Sequence, residues 1–243
     1  MSVEYDRRGT VAVVTIDRPD QRNTVDDATA EKLDDAWDRF DEDDDALVGV
    51  LTGSEGTFSA GADLEAMDLE DRPEGWLGFT RRRISKPTVA AVEGHCVAGG
   101  LEMALWCDLR VAGESATFGC FERRFGVPLV DGDTRRLPYV VGLGRAPGLI
   151  LTGRELDAET AAEWGLVNRL APAGAALETA VELAEVIAGV PAGDGQDRPG
   201  GRLRRPRGDA GARPRRRGVA RLLRHGDRTR RRRPFRRRRG TRQ

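Results

Sequence analysis

Two short glycine-bearing segments, Phe58-Ser-Ala-Gly-Ala-Asp-Leu64 and Val97-Ala-Gly-Gly-Leu-Glu-Met103, are where this sequence most readily builds a reactive site. Each follows an apolar run of strand type, and small side chains let a ligand approach the main chain, so both segments can expose backbone N–H groups. A donor that opens a helix also carries the positive end of the helix dipole, and two donors aimed at one point can hold an oxygen that gains negative charge during reaction. Taken singly, each segment reads more readily as an ordinary tight turn with close helix packing. Glu102 sharpens the second segment, because it falls in the first turn of an otherwise apolar run, Leu101–Cys107. An acid there gains about 0.3–1 kcal/mol from the dipole, yet burying it is costly unless it is paired or used.

The elements that must position these segments follow from hydrophobic patterning. Val11–Ile16 is a β-branched run stopped by Asp17-Arg-Pro-Asp20, which predicts a strand followed by a turn. From Asp26 to Phe40 the apolar residues Ala30, Leu33, Trp37 and Phe40 recur at spacings of three and four, which predicts an amphipathic helix ended by the acidic run Asp41–Asp45. Val48–Thr52 and Thr88–Val92 read as further strands, and Leu109–Ala112 and Ala116–Phe118 as short ones. Gly126-Val-Pro and Asp131-Gly-Asp-Thr134 have turn chemistry. Helical patterning returns around 144–152, 157–164 and 177–187. Strands alternating with helices imply an α/β fold with parallel pairing through crossovers.

Composition narrows the class further. With 243 residues and 39% apolar side chains, the chain can bury a substantial core. No stretch of about 20 apolar residues and no signal-type start is present, so a cytoplasmic location is expected. Cys96, Cys107 and Cys120 lack the paired short spacings of a zinc site or a disulfide framework, and His95 has no metal-ligand spacing. They read as buried small residues, and no metal is expected.

The net charge of zero conceals two unlike polypeptides. Residues 1–192 carry 19 Lys and Arg against 36 Asp and Glu, a net −17, whereas residues 193–243 carry 21 Arg and no Lys against four Asp, a net +17. The basic segment has only eight apolar side chains, too few to offset the entropy of ordering it, so disorder is expected there. Runs such as Arg230–Arg233 and Arg236–Arg239 resemble a nucleic-acid arm. The absence of Lys favours another origin: GAC aspartate codons read one register out become CGA arginine codons, so a frameshift near residue 193 is expected instead.

The first part resembles the enoyl-CoA hydratase/isomerase (crotonase) superfamily. The resemblance rests on motifs in a fixed order: Arg18-Pro-Asp-Gln-Arg-Asn23, Phe58–Asp63, Lys86–Gly94, Ala98-Gly-Gly-Leu-Glu102, Cys107-Asp108, Phe118-Gly119, Leu151-Thr-Gly153 and Gly165-Leu-Val-Asn168. It implies a spiral of β-β-α units over residues 1–192, built to bind an acyl-CoA thioester as substrate, with coenzyme A arriving on the substrate and no separate cofactor. It further implies that the N–H groups of Ala62 and Gly99 form an oxyanion hole for the thioester carbonyl. Glu102 and Glu122 match the two glutamates that hydratases of the family use on water, although Glu122, beside Arg123 and Arg124, is equally placed for a surface ion pair. Asp131 falls where dienoyl-CoA isomerases of the superfamily carry an aspartate, or serves as a turn residue.

The resemblance therefore implies syn hydration of a 2-enoyl-CoA first and double-bond isomerisation second. For the remainder of the substrate it points to Arg22 and Asn23 at the coenzyme A end and to Ala60, Gly61, Asp63, Leu64 and Gly100 along the path. Homotrimers or dimers of trimers are the implied assembly. The family's last helices would fall in the Arg-rich segment 193–243, so the chain as written is expected to lack trimer contacts and to be poorly soluble or inactive, or to persist as a binding scaffold without turnover.

Overall fold

The computed structural model describes residues 2–66 and 68–190. The sequence-based expectations for 193–243 lie outside the described residues. Strand β1 (Val3–Arg8) turns through Gly9 and runs antiparallel to β2 (Val11–Ile16). A single 3-10 turn at Pro19–Gln21 leads to α1 (Asp27–Glu42). Then come β3 (Val48–Gly53), β4 (Thr88–Val92), β5 (His95–Val97), α2 (Gly99–Trp106), β6 (Leu109–Gly113), β7 (Thr117–Gly119) and α3 (Glu122–Phe125). The described chain ends with α4 (Asp133–Val141), α5 (Ala146–Thr152), β8 (Leu156–Asp157), α6 (Ala158–Glu163), β9 (Arg169–Ala171) and α7 (Ala176–Ala188).

Six strands form one sheet in the order β1-β2-β3-β4-β6-β9, parallel throughout except for β1. A smaller sheet has the order β5-β7-β8. From β4 to β7 successive strands alternate between the two sheets, β8 then pairs beside β7 in the small sheet and β9 returns to the large one, so each passage from the large sheet to the small one and back makes one turn of a spiral. This geometry carries the chain past the same place repeatedly: β5 leads into α2, and β7 leads into the segment bearing Glu122.

Period-two patterning divides the core between the faces of the large sheet. Val11, Val13, Val48, Val50, Val89, Ala91 and Val111 share one cluster with Ala180, Val181 and Ala184 of α7. Ala12, Val14, Ile16, Leu51, Ala90 and Val92 lie in the other, with α1 and α2. There Trp37, Phe40, Phe79 and Trp106 pack as a group, with Trp37 and Trp106 ring centroids 4.8 Å apart. The helix predicted from Asp26 is present, and the Asp26 side chain caps it by accepting the Thr29 N–H at 2.8 Å.

Several elements escape the sequence reading for a common reason. β1 alternates charge with apolar residues at a sheet edge, and β5, β8 and β9 are two or three residues long and exist by pairing with distant partners. The segment 131–134, read as a turn, is a turn only to Gly132; Asp133 starts α4, which continues through Pro138. No helix among the described residues is long and apolar enough to cross a membrane.

Candidate active site

The first glycine-bearing turn is held by side chains that spend themselves on the protein. Asn23 is fully buried, and its Oδ1 accepts the Arg18 N–H at 2.8 Å while its Nδ2 donates to the carbonyls of Ser54 and Thr57 at 3.0 and 2.6 Å. Its own carbonyl accepts the Ser59 hydroxyl at 2.7 Å, and the same Ser59 oxygen accepts the Gly61 N–H at 3.0 Å. The Asp63 carboxylate accepts from Glu65 N, Ala66 N and Arg18 Nη2 at 3.0–3.2 Å. Burial opposes its ionisation, but these donors win and hold it below the usual range. Asn23 and Asp63, expected along the substrate path, are therefore fasteners of the turn. Arg22 sits on the left-handed residue beside Asn23 with its side chain exposed, and Leu64 is also exposed.

The second turn meets the first edge to edge. A Cβ on Gly61, whose φ is +91°, would lie 2.5 Å from Gly99 N, and a Cβ on Gly99 would lie 3.2 Å from Gly61 Cα and 3.4 Å from Ala62 N. A Cβ on Gly100 would strike the Ser59 carbonyl at 2.2 Å. These glycines are required by contact between two backbones. Val25 N donates to Gly61 O and Asp63 N to Val25 O, and Ala98 N donates to Gly119 O. Among the described residues this pattern leaves the intervening N–H of Ala62 and the first helical N–H of α2, that of Gly99, uncommitted.

Ala98, which aims that N–H, has φ 53° and ψ −131°, a conformation normally open only to glycine. Its N–H and its carbonyl are both bonded, the latter to Leu101 N and Glu102 N, so the fold over-determines the strained residue. Ala98→Gly is expected to raise the thermal midpoint, by the equivalent of about 1 kcal/mol. Calorimetry checks this, and a lower midpoint would show that packing of the methyl group outweighs the strain.

The carboxylates converge from three elements. Glu102, 3% exposed in the first turn of α2, accepts the N–H groups of Asp131 and Asp133 on its Oε1 at 2.8 and 3.2 Å. Burial, followed by the charges of Asp131 and Glu122, pushes its pKa up to about 8, the two N–H donors opposing. Glu122, 6% exposed at the start of α3, has both carboxyl oxygens buried without a hydrogen-bond partner, and burial raises its pKa to about 7. The surface ion pair that Arg123 and Arg124 suggest is absent: Arg124 instead donates to Gly153 O and stacks over Phe121.

Asp131 is buried near Glu102, but its carboxylate accepts Trp76 N and Leu77 N at 3.0 Å each and lies 3.8 Å from Arg81 Nε. Burial raises its pKa, with those donors opposing. Its carboxylate thereby holds the 74–81 segment. The carboxylate the sequence reading missed is Asp133. It is fully buried at the start of α4, with Oδ1 unpartnered and Oδ2 3.9 Å from Cys120 Sγ. The only signal in the sequence is an acid at the head of a helix, which resembles ordinary turn chemistry.

The site thus combines two uncommitted N–H groups, small residues beside them, and two buried glutamates, one of them a single helical turn from Gly99. Comparison with known proteins places the chain in a family. Residues 6–192 match the family model described as enoyl-CoA hydratase/isomerase. A mevalonyl-coenzyme A hydratase of Aspergillus fumigatus is 40% identical over 185 residues, covering 73% of this chain and 68% of that protein. An enoyl-CoA hydratase of Mycobacterium tuberculosis is 39% identical, covering 75% and 73%. Among solved structures, an enoyl-CoA hydratase of Mycobacterium marinum superposes with a TM-score of 0.75 at 43% identity, covering 77% of this chain and 75% of that one.

Proposed function

The chain belongs to the enoyl-CoA hydratase/isomerase family, and from that premise we propose that it is an enoyl-CoA hydratase, adding water syn across the double bond of a 2-enoyl-CoA thioester. The observation that carries this reading is the pair of uncommitted N–H groups, Ala62 and Gly99, on two interlocked turns beside the buried glutamates Glu102 and Glu122.

Addition of water at C3 of an enoyl thioester places negative charge on the thioester oxygen. Two fixed N–H donors stabilise that charge without reorganising, and such a donor is worth about 10²–10³ in rate. The glutamates supply the proton traffic. With both pKa values displaced toward neutrality, one carboxylate is ionised and takes a proton from water as its oxygen bonds to C3, while a carboxylic acid delivers a proton to C2. Ala60, Gly61 and Gly100 form the low wall along which the thioester lies, and Arg22 is the basic group offered to the coenzyme A phosphates. No cofactor beyond the coenzyme A of the substrate enters this scheme. Homotrimers or dimers of trimers, for a chain with an intact carboxy terminus, and a role in acyl-CoA metabolism of the cytoplasm belong to the same proposal.

Double-bond isomerisation is the second reading, favoured by one observation: among the buried acids of the described residues, Glu122 has both oxygens unpartnered and can carry a proton between carbons. An isomerase built on Asp131 is disfavoured, because that carboxylate already holds two backbone N–H groups. The family match ends at residue 192, immediately before the charge inverts, which supports reading 193–243 as a separate, frameshift-derived segment.

The test is hydration of crotonyl-CoA by the chain as written and by one in which 193–243 is replaced by the in-frame continuation of its gene. Loss of the enoyl absorbance with formation of 3-hydroxybutyryl-CoA, confined to the repaired chain, is the expected result. Thioester binding without hydration in either chain would overturn the hydratase reading and leave the isomerase or a binding scaffold.

A further inference from the structure

The acid–base pair has a buried neighbour that the hydratase scheme does not use. Asp133 has no exposed surface, and its Oδ1 has no hydrogen-bond partner. Its backbone N–H donates to Glu102 Oε1, which fixes the start of α4 against the first turn of α2. Its Oδ2 faces Cys120 Sγ, two residues before Glu122. Asp133 is thus tied by the main chain to one glutamate and by a thiol to the segment of the other. Three carboxyl groups therefore share one dry region with three unpartnered oxygens among them: both of Glu122 and one of Asp133. No group of three acidic, His or Cys residues among the described residues is arranged to hold a metal ion, so a bound cation does not explain the cluster.

We propose that Asp133 is a positioning residue of the acid–base site: a carboxyl held protonated at neutral pH, which by staying neutral leaves a single negative charge to be shared between Glu102 and Glu122. The physical argument is that like charges in a low-dielectric space cannot all form. A carboxyl with no exposed surface, one oxygen unpartnered and the other facing only a thiol at 3.9 Å, is a poor place for a charge. Glu102 and Glu122 each keep a little exposed surface, and Glu102 has two N–H donors on Oε1.

The groups facing Asp133 agree with that division. Glu102 of α2 and Glu122 of α3 oppose its ionisation after burial itself, whereas Arg136 of its own helix and the Cys120 thiol favour ionisation without overcoming those effects. Arg136 is engaged with the carbonyls of Asp131 and Thr80. Asp131, the remaining acid nearby, is held by Trp76 N and Leu77 N and by Arg81. Asp133 thereby sets where the ionisation of the glutamates falls. If it ionised, both would be driven further up; while it stays protonated, an uncharged isostere in its place leaves them where they are.

This proposal rests on Glu102 and Glu122 forming the acid–base pair, but its test does not depend on turnover. Infrared difference titration of the full chain reads protonated carboxyl C=O bands directly. Bands of buried acids that persist at about pH 7, well above the ordinary carboxylate range, are expected in the unmodified protein. Asp133→Asn should remove one of them and leave the titration of the remaining pair in place, because the amide replaces a carboxyl that is already uncharged. Asp133→Ser provides the same comparison in a smaller side chain should the amide misfold, with circular dichroism reporting the fold of each. Carboxyl bands that vanish below about pH 5 in the unmodified chain would overturn the proposal by themselves. So would a folded Asp133 variant whose remaining acids titrate lower than in the unmodified chain, which is what removal of an ionised Asp133 predicts. A failed hydration assay with these bands present would instead count against the hydratase reading alone.

Discussion

Replacing Glu102 by Gln is expected to lower the rate of crotonyl-CoA hydration by about 10²–10⁴-fold while leaving thioester binding nearly intact, because the amide keeps the shape of the side chain but cannot exchange a proton with water. The background for this measurement is whichever chain hydrates the substrate in the comparison of the two carboxy termini. Steady-state kinetics separate the outcomes: kcat should collapse and KM should move little. A rate within about tenfold of the parent would remove Glu102 from the proton path.

The same substitution has an independent signature in stability. The folded-state pKa of Glu102 is about 8 against an ordinary 4.5, with burial as the first cause, so the folded chain binds more protons than the unfolded chain between those values. Stability must therefore fall as pH rises from about 4.5 to about 8, and Glu122, raised to about 7, adds to the slope. Glu102→Gln should flatten the dependence of the thermal midpoint on pH over that window. An unaltered slope would mean that the carboxyl is ionised without penalty in the folded protein.

Gly61→Ala is expected to abolish activity for a reason that involves no side-chain chemistry. The new Cβ would sit 2.5 Å from Gly99 N and 3.1 Å from the Ala98 methyl, at a φ of +91°. Backbone strain alone costs about 1–3 kcal/mol, and the clash forces apart the two turns whose N–H groups hold the oxyanion, so a further loss of about 10²–10³ in kcat is expected. Gly9→Ala separates these effects, since Gly9 also has positive φ, +61°, but a Cβ there meets nothing within 4 Å. That variant should lose stability and retain full kcat. Equal activity in Gly61→Ala and Gly9→Ala would show that the contact between the turns does not set the reactive geometry.

Much of the frame was legible in advance. The β-branched runs 11–16, 48–52 and 88–92 carry their strand signal in every residue, and α1 carries its own in the spacing of Ala30, Leu33, Trp37 and Phe40 and in the cap at Asp26. β5, β8 and β9 could not be read because two or three residues hold too little pattern, and their pairing energy comes from strands elsewhere in the chain. In the site, Glu102 was legible because an acid in an apolar helix start needs a reason. Asn23 and Asp63 were legible as part of an ordered motif, but that motif does not distinguish a residue that holds substrate from one that holds the turn that does.

The sequence by itself determined the α/β class, the family, the two glycine-bearing turns and the glutamates that lie near them, since each depends on residue type and short-range order. Only the tertiary structure decided how the buried carboxylates divide their work. Asp131 and Asp133 are two residues apart and look alike in sequence, yet Asp131 receives two backbone N–H groups and an arginine while Asp133 keeps an oxygen unpartnered beside Glu102 and Glu122. The physical reason is that the role of a buried carboxyl is set by the donors and charges around it in three dimensions, and those arrive from α2, α3 and the 74–81 segment, which no local pattern connects.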